Sequence, residues 1–323
     1  MLVNILGFLV FVALTGVFGW LSVRAGRSRD PLMRWGVFSV LGFFVVIFVT
    51  LSILTAMGLL KVYGGRGNDV REVIIDKSPD RVARGAHIAE VVCASCHSSD
   101  GALPLSSGGD VLTRTSLPLG RAFAPNLTPG GRLKDWTDGE VIRAVREGAD
   151  KQGRLLVVMA DQGGRNLSDD DLHAVAAYLR SQPVVTATTP DEEVSLVGVI
   201  LIGAGLIPVP PAPTPDYSIT APPRGQTEEY GKYVVGFTGC AECHGEDLDG
   251  GTGGLAPQGP SLRVVKGWTK EQFAETLRTG MNPSGRALDA KLMPWKSLGR
   301  LDDQELGAVY AYLLSQEDVP SPF

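Results

Sequence analysis

Cys93-Ala94-Ser95-Cys96-His97 and Cys240-Ala241-Glu242-Cys243-His244 are the stretches that decide how this chain folds, and they hold all four of its cysteines. A bare C-x-x-C reads as half of a zinc site or as a redox dithiol. A zinc site needs a further pair of ligands nearby, and a redox dithiol needs a βαβ setting. The sequence offers neither, and a histidine follows directly both times. C-x-x-C-H is the pattern of covalent haem attachment. On a helix, cysteines at i and i+3 share a face with a histidine at i+4. The two thiols can then add to the two vinyl groups of one haem, with the imidazole held beneath the iron. Cys93 and Cys96 are expected to attach one haem with His97 as ligand, and Cys240 and Cys243 a second with His244 as ligand.

Outward from these motifs, the sequence repeats itself. The first copy runs Trp136-Thr137, Arg146-Glu147-Gly148, Gly153-Arg154, Met159 and then LSDDDLHAVAAYLRSQ at 167–182. The second runs Trp268-Thr269, Arg278-Thr279-Gly280, Gly285-Arg286, Met293 and then LDDQELGAVYAYLLSQ at 301–316. Each final block opens with acid and continues with apolar residues at helical spacing, which reads as a helix start. In both copies the methionine precedes that block by eight residues. A methionine as sixth ligand closes the iron to small molecules and raises its potential. Met159 and Met293 are the candidates; Met281 lies out of register. The methionines could also be core gap-fillers, and the matched register speaks against that. His87 and His173 have no repeat partner and read as surface or helix-face residues. Trp136, Trp268, Arg154 and Arg286 recur and suit either haem propionates or plain packing and turn roles.

The 323 residues divide sharply in composition. Residues 2–23 and 35–60 carry no charge, and each run exceeds the ~20 residues that cross a bilayer core. No positive charge precedes the first run and no clean A-x-A site follows it, so a signal peptide fits poorly. Arg24, Arg27, Arg29 and Arg34 crowd the loop between the runs and assign it to the cytoplasm. The N-terminus and everything after Lys61 are then expected outside. The chain carries −5 overall and residues 1–60 carry +3, which leaves −8 on the remainder. That balance argues against nucleic acid and suits docking to a basic patch on another protein. A third apolar run, 194–209, has only 16 residues, includes three glycines and Pro208, and leads into Pro-rich sequence. It is too short to span comfortably and reads as a linker packed between or against the domains, with a membrane-dipping segment as the alternative.

The haem motifs, the Gly-Arg…Met-Pro-Trp run and the L-x-D…A-Y-L block resemble class I cytochrome c domains, over about 80–185 and 225–318. The resemblance implies an all-α chain: two transmembrane helices followed by two tandem helical cytochrome c domains. In each domain an N-terminal and a C-terminal helix cross, about 81–92 with 169–181 and 227–239 with 303–316. Gly85 and Gly231 would allow close approach there, with Tyr178 and Tyr312 nearby. The expected divisions are an anchor at 1–62, a first domain at 78–186, a linker at 187–224 and a second domain at 225–323. The run Ala124-Pro125-Asn126-Leu127-Thr128-Pro129, with the second haem motif, resembles cytochrome subunits of membrane-bound bacterial dehydrogenases. Two spans ahead of two haem domains resemble the dihaem subunit of cbb-type oxidases, although the acidic, Pro- and Trp-containing loop of that subunit is not evident. Another quinol-oxidising complex is the third option. The expected function is electron transfer through two haem c groups on the extracytoplasmic face, with other subunits of a membrane complex as partners and no catalysis by the chain itself. A dihaem peroxidase is the rival enzyme reading, and a methionine for each iron argues against it.

Overall fold

The computed structural model describes residues 1–112, 118–214, 216–251 and 258–316. Stretches 113–117 of the expected first domain, 215 of the linker, and 252–257 and 317–323 of the second domain lie outside the described residues. The described chain is mostly helical. Its one paired strand segment joins two residues on each side: β1 (Gly120–Arg121) lies antiparallel to β2 (Glu193–Val194).

Helices α1 (Leu2–Gly26) and α2 (Leu32–Tyr63) are long and apolar enough to cross a membrane. Phe18 meets Phe44 and Phe48 with ring centroids 5.2 and 5.4 Å apart, which holds the two helices side by side. At one end Ser22 donates to the Phe38 carbonyl. At the other, Asn4 donates to the Tyr63 hydroxyl. Arg24 lies over Trp20 and Arg34 over Trp35, the pairing of cation and interfacial aromatic common at a membrane surface.

Each soluble domain is built around one helix crossing. In the first, α3 (Pro79–Ile88) runs through a wide π-type turn, Ala89–Cys93, into α4 (Ala94–His97); α5 (Asp138–Glu147) and α6 (Asp169–Ser181) follow. A short helix, α7 (Leu196–Gly203), precedes the second domain. That domain has α8 (Glu228–Thr238), α9 (Cys240–His244), α10 (Lys270–Thr279), α11 (Trp295–Leu298) and α12 (Asp303–Ser315). Local sequence sets the helix starts. Thr137 and Thr269 form capping boxes with Glu140 and Gln272, Ser168 caps α6, and Asp302 forms a box with Glu305.

The crossings need glycine. A Cβ at Gly85 would lie 1.9 Å from the Ala174 carbonyl oxygen and 2.9 Å from Tyr178 Cβ. One at Gly231 would lie 2.0 Å from the Ala308 oxygen and 2.8 Å from Tyr312 Cβ. Backbone meets backbone, so the neighbour cannot move aside. Gly231→Ala is expected to cost about 3 kcal/mol by overpacking. A shift in the denaturation midpoint of the full chain checks this; an unshifted midpoint would mean the crossing tolerates separation.

The two domains are not independent beads. One continuous hydrophobic core holds Ile88, Val91, Leu172 and Tyr178 of the first with Tyr230, Phe237, Leu306 and Val309 of the second. The Tyr233 hydroxyl donates to Asp171 at 2.7 Å and accepts from the Ser168 amide at 2.9 Å. The linker is strapped down as well: Arg66 donates to the Pro210 carbonyl, Asn68 to that of Pro213, and Ser218 to Asp169.

Candidate haem-binding sites

The two C-x-x-C-H motifs occupy matching places. In the second domain the motif is the short helix α9, and in the first Cys93 ends the π-type turn and leads into α4 with Cys96 and His97, so in each the cysteines and histidine lie on about one turn. His97 and His244 are buried. His97 Nδ1 donates to the Pro125 carbonyl at 3.0 Å, and His244 Nδ1 donates to the Pro260 carbonyl at 2.6 Å. A carbonyl can only accept, so the proton sits on Nδ1 and the lone pair on Nε2. This is how a metal-binding imidazole is oriented from behind. Burial also lowers the His97 pKa, which favours the neutral form that binds metal. In the resembling run at 124–129, Pro125 is thus the residue that fixes the ring.

Burial pushes the Cys93 thiol up to about 12 and raises Cys240 and Cys243 too. A redox dithiol needs the opposite shift, because its attacking sulfur must ionise. The electrostatics therefore oppose the oxidoreductase reading of C-x-x-C.

In the second domain the predicted residues converge. Cys240, Cys243, His244 and Met293 line one cavity of about 580 Å³, with Trp268, Phe273 and Arg286 also on its wall. His244 Nε2 is buried and has no hydrogen-bond partner among the described residues. An orphaned imidazole nitrogen in a large, mainly apolar cavity is what a proximal haem ligand requires, and the residues fit that group.

A shared hairpin precedes both methionines. Gly148 and Gly280 carbonyls accept from the Leu156 and Leu288 amides at 2.8 and 2.7 Å. Inside the turn, Asp150 and Asn282 each accept from the amide of the arginine four residues on. Ala149 pairs with Leu155 where Met281 pairs with Ala287. Met281 thus takes the place of Ala149 on the hairpin rim and is 45 % exposed. Met159 opens the 3-10 turn Met159–Asp161 after the first hairpin, and Met293 sits just before Pro294 and α11 after the second. Both are half-buried. Arg154 closes an ion pair with Asp150, a turn role, whereas Arg286 lines the haem-sized cavity. Trp136 packs against the core. His173 lines a separate cavity of about 530 Å³ beside Arg143 and Arg146.

Sequence reasoning missed the cluster that joins the domains. His87 Nε2 donates to Glu305 at 2.7 Å, and Arg84 reaches both Asp171 and Glu305. Glu305 is fully buried. Burial alone would raise its pKa, but His87 and Arg84 outweigh that and hold it at about 2. In the sequence Glu305 reads only as the third residue of a helix cap. Nothing local reveals a partner 221 residues away. Arg300 makes a second bridge, to Glu90 at 3.3 Å and to the Gly101 carbonyl.

Comparison with known proteins agrees with this geometry. Residues 228–317 match the family model of cytochrome c, and residues 80–179 match that of cytochrome c oxidase, cbb3-type, subunit III. Over 262 residues the chain is 26 % identical to one of the subunits of nicotinate dehydrogenase from Pseudomonas putida, covering 73 % of this chain and 21 % of that protein. Over 140 residues it is 29 % identical to the fructose dehydrogenase cytochrome subunit of Gluconobacter japonicus, covering 38 % of this chain and 28 % of that one. The matched regions span less than a third of either relative.

Proposed function

From a chain built on two cytochrome c domains, which transfers electrons and binds haem c covalently, we propose a two-haem relay. Cys93 and Cys96 attach the first haem, with His97 and Met159 as iron ligands. Cys240 and Cys243 attach the second, with His244 and Met293. Bound haem supplies a one-electron couple whose potential the axial ligands set. The protein's part is to fix the imidazoles through the Pro125 and Pro260 carbonyls, exclude water, and hold both sites on one shared core. The observation that carries this reading is the His244 cavity, lined by the ring with its orphaned nitrogen, both cysteines and Met293. The purified chain is expected to show two haem additions by mass and to keep its haem stain on a denaturing gel. One addition, or haem lost on denaturation, would overturn it. The chain performs no catalysis of its own in this reading, so both haems are expected to be six-coordinate and low-spin; a high-spin fraction would favour a peroxidase.

The dehydrogenase names of both relatives support membership in a membrane dehydrogenase or respiratory complex. The match of 80–179 to the cbb3-type subunit favours a haem–copper oxidase as the second reading. The subunits that co-purify in mild detergent separate the two.

In the proposed topology α1 and α2 span the membrane, the Arg24–Arg34 loop is cytoplasmic, and 62–323 lie outside. The stretches 186–191 and 223–226 are largely exposed. Protease added to the outer face of intact spheroplasts is expected to cut at both. Protection of the second domain would mean that the chain crosses the membrane again at 194–209.

A further inference from the structure

The apolar run 194–209 packs not between the two haem domains but between the first domain and the anchor. All eight residues of α7 are Leu, Val, Ile or Gly. A Cβ at Gly58 would lie 1.9 Å from the Val199 carbonyl oxygen, and one at Gly203 would lie 1.9 Å from that of Leu54, so α7 and α2 touch backbone to backbone. Leu196 packs on Gly7 of α1. Lys61 Nζ donates to the Ile202 carbonyl at 3.0 Å, and Asn4 donates to that of Val194 at 2.8 Å. These bonds satisfy backbone acceptors that a segment away from water cannot leave open.

Depth follows from the helix rise. Leu54 lies sixteen residues beyond Phe38, the residue that meets Ser22 near the cytoplasmic loop. At 1.5 Å per residue that is ~24 Å, inside an apolar slab of ~30 Å. Gly203 packs at that level. Beside it the first turns of α1 expose Leu2, Val3 and Leu6, and α7 with its following turn exposes Val197 and, at 72 %, Leu206. One face of the segment is covered by Leu119, Ala122, Leu155 and Val157 of the first domain, with Val62 of α2. Both ends return to that domain: Val194 pairs with Gly120, and the Pro211 carbonyl accepts from Arg165 at 3.1 Å.

We propose that 196–207 is a re-entrant segment whose exposed face contacts the acyl chains of the outer leaflet and pins the first haem domain to the membrane. The occupant is lipid because residues 196–207 carry no polar side chain and their exposed side lies beside the apolar surface of α1 and α2. The inference rests on the proposal that those helices span the bilayer.

The test uses the full haem-loaded chain in phospholipid nanodiscs, with a charged maleimide and single-cysteine variants whose haem absorbance is intact. The native thiols are consumed by haem in the proposed reading. Ile74, 98 % exposed on the soluble part, reports water; Val46, 64 % exposed in mid α2, reports lipid. Leu206→Cys and Val197→Cys are expected to label at least about tenfold more slowly than Ile74→Cys, because a thiol in hydrocarbon does not ionise. All should label equally after sodium dodecyl sulfate. Since Leu206 is open among the described residues, slow labelling in nanodiscs is read as protection by lipid. Rapid labelling of Leu206→Cys with Val46→Cys still protected would overturn the re-entrant segment alone. Rapid labelling of Val46→Cys would overturn the spanning helices and the segment with them.

Discussion

Replacing Arg84 with alanine is expected to destabilise the chain by about 3–5 kcal/mol, because it strips partners from buried carboxylates. Arg84 holds Asp171 through two bonds of 2.8 Å and Glu305 through one of 2.9 Å, and its own side chain is 19 % exposed. Glu305, with no exposed side-chain surface, would lose its 2.9 Å guanidinium partner and keep His87, the Asp302 amide and Arg224 at 3.9 Å. The damage falls where the two domains join. Denaturation of the parent is expected to be one transition, since both domains share a core, and that of Arg84→Ala to split, with the second domain leaving first. A loss below about 1 kcal/mol, the size of an exposed ion pair, would mean the cluster does not hold the domains. The pH dependence follows from the same carboxyl. Its folded pKa, about 2, lies below the ordinary value, so its stabilisation is present above roughly pH 4.5 and is lost as pH falls toward 2. Glu305→Gln should flatten that acid slope, and an unchanged slope would place the acid sensitivity in other groups.

Met293→Ala is expected to abolish about half of the long-wavelength absorbance that methionine-ligated ferric cytochromes c display, and to lower the potential of one haem. Met281→Ala is expected to leave both unchanged. Met293 lines the cavity that His244 enters. Met281 stands on the hairpin rim where the first domain has Ala149, a residue that cannot ligate iron. The opposite result, loss with Met281→Ala and none with Met293→Ala, would shift the register of the second domain. Met159→Ala should remove the other half of the band if the first site is its counterpart.

The sequence alone determined much of this protein. Two C-x-x-C-H motifs mark the proposed haem attachment points because the chemistry needs thiol, thiol and imidazole within one helical turn. Two charge-free runs mark the proposed anchor because a bilayer core tolerates little else. Ser168, Asp302 and the threonine caps announce helix starts through bonds only three residues long. Gly85 and Gly231 were legible as close-approach positions through the resemblance to class I cytochrome c domains, which implies that the first and last helices cross. Only the tertiary structure decided the rest. Glu305 looks like a capping residue until Arg84 and His87 arrive from the other domain. The run 194–209 looks like a linker until Gly58 and Gly203 bring its backbone onto α2. Periodicity and spacing record interactions within a turn or a helix. A partner more than a hundred residues away leaves no mark on local sequence, because its position is set by how completed elements pack.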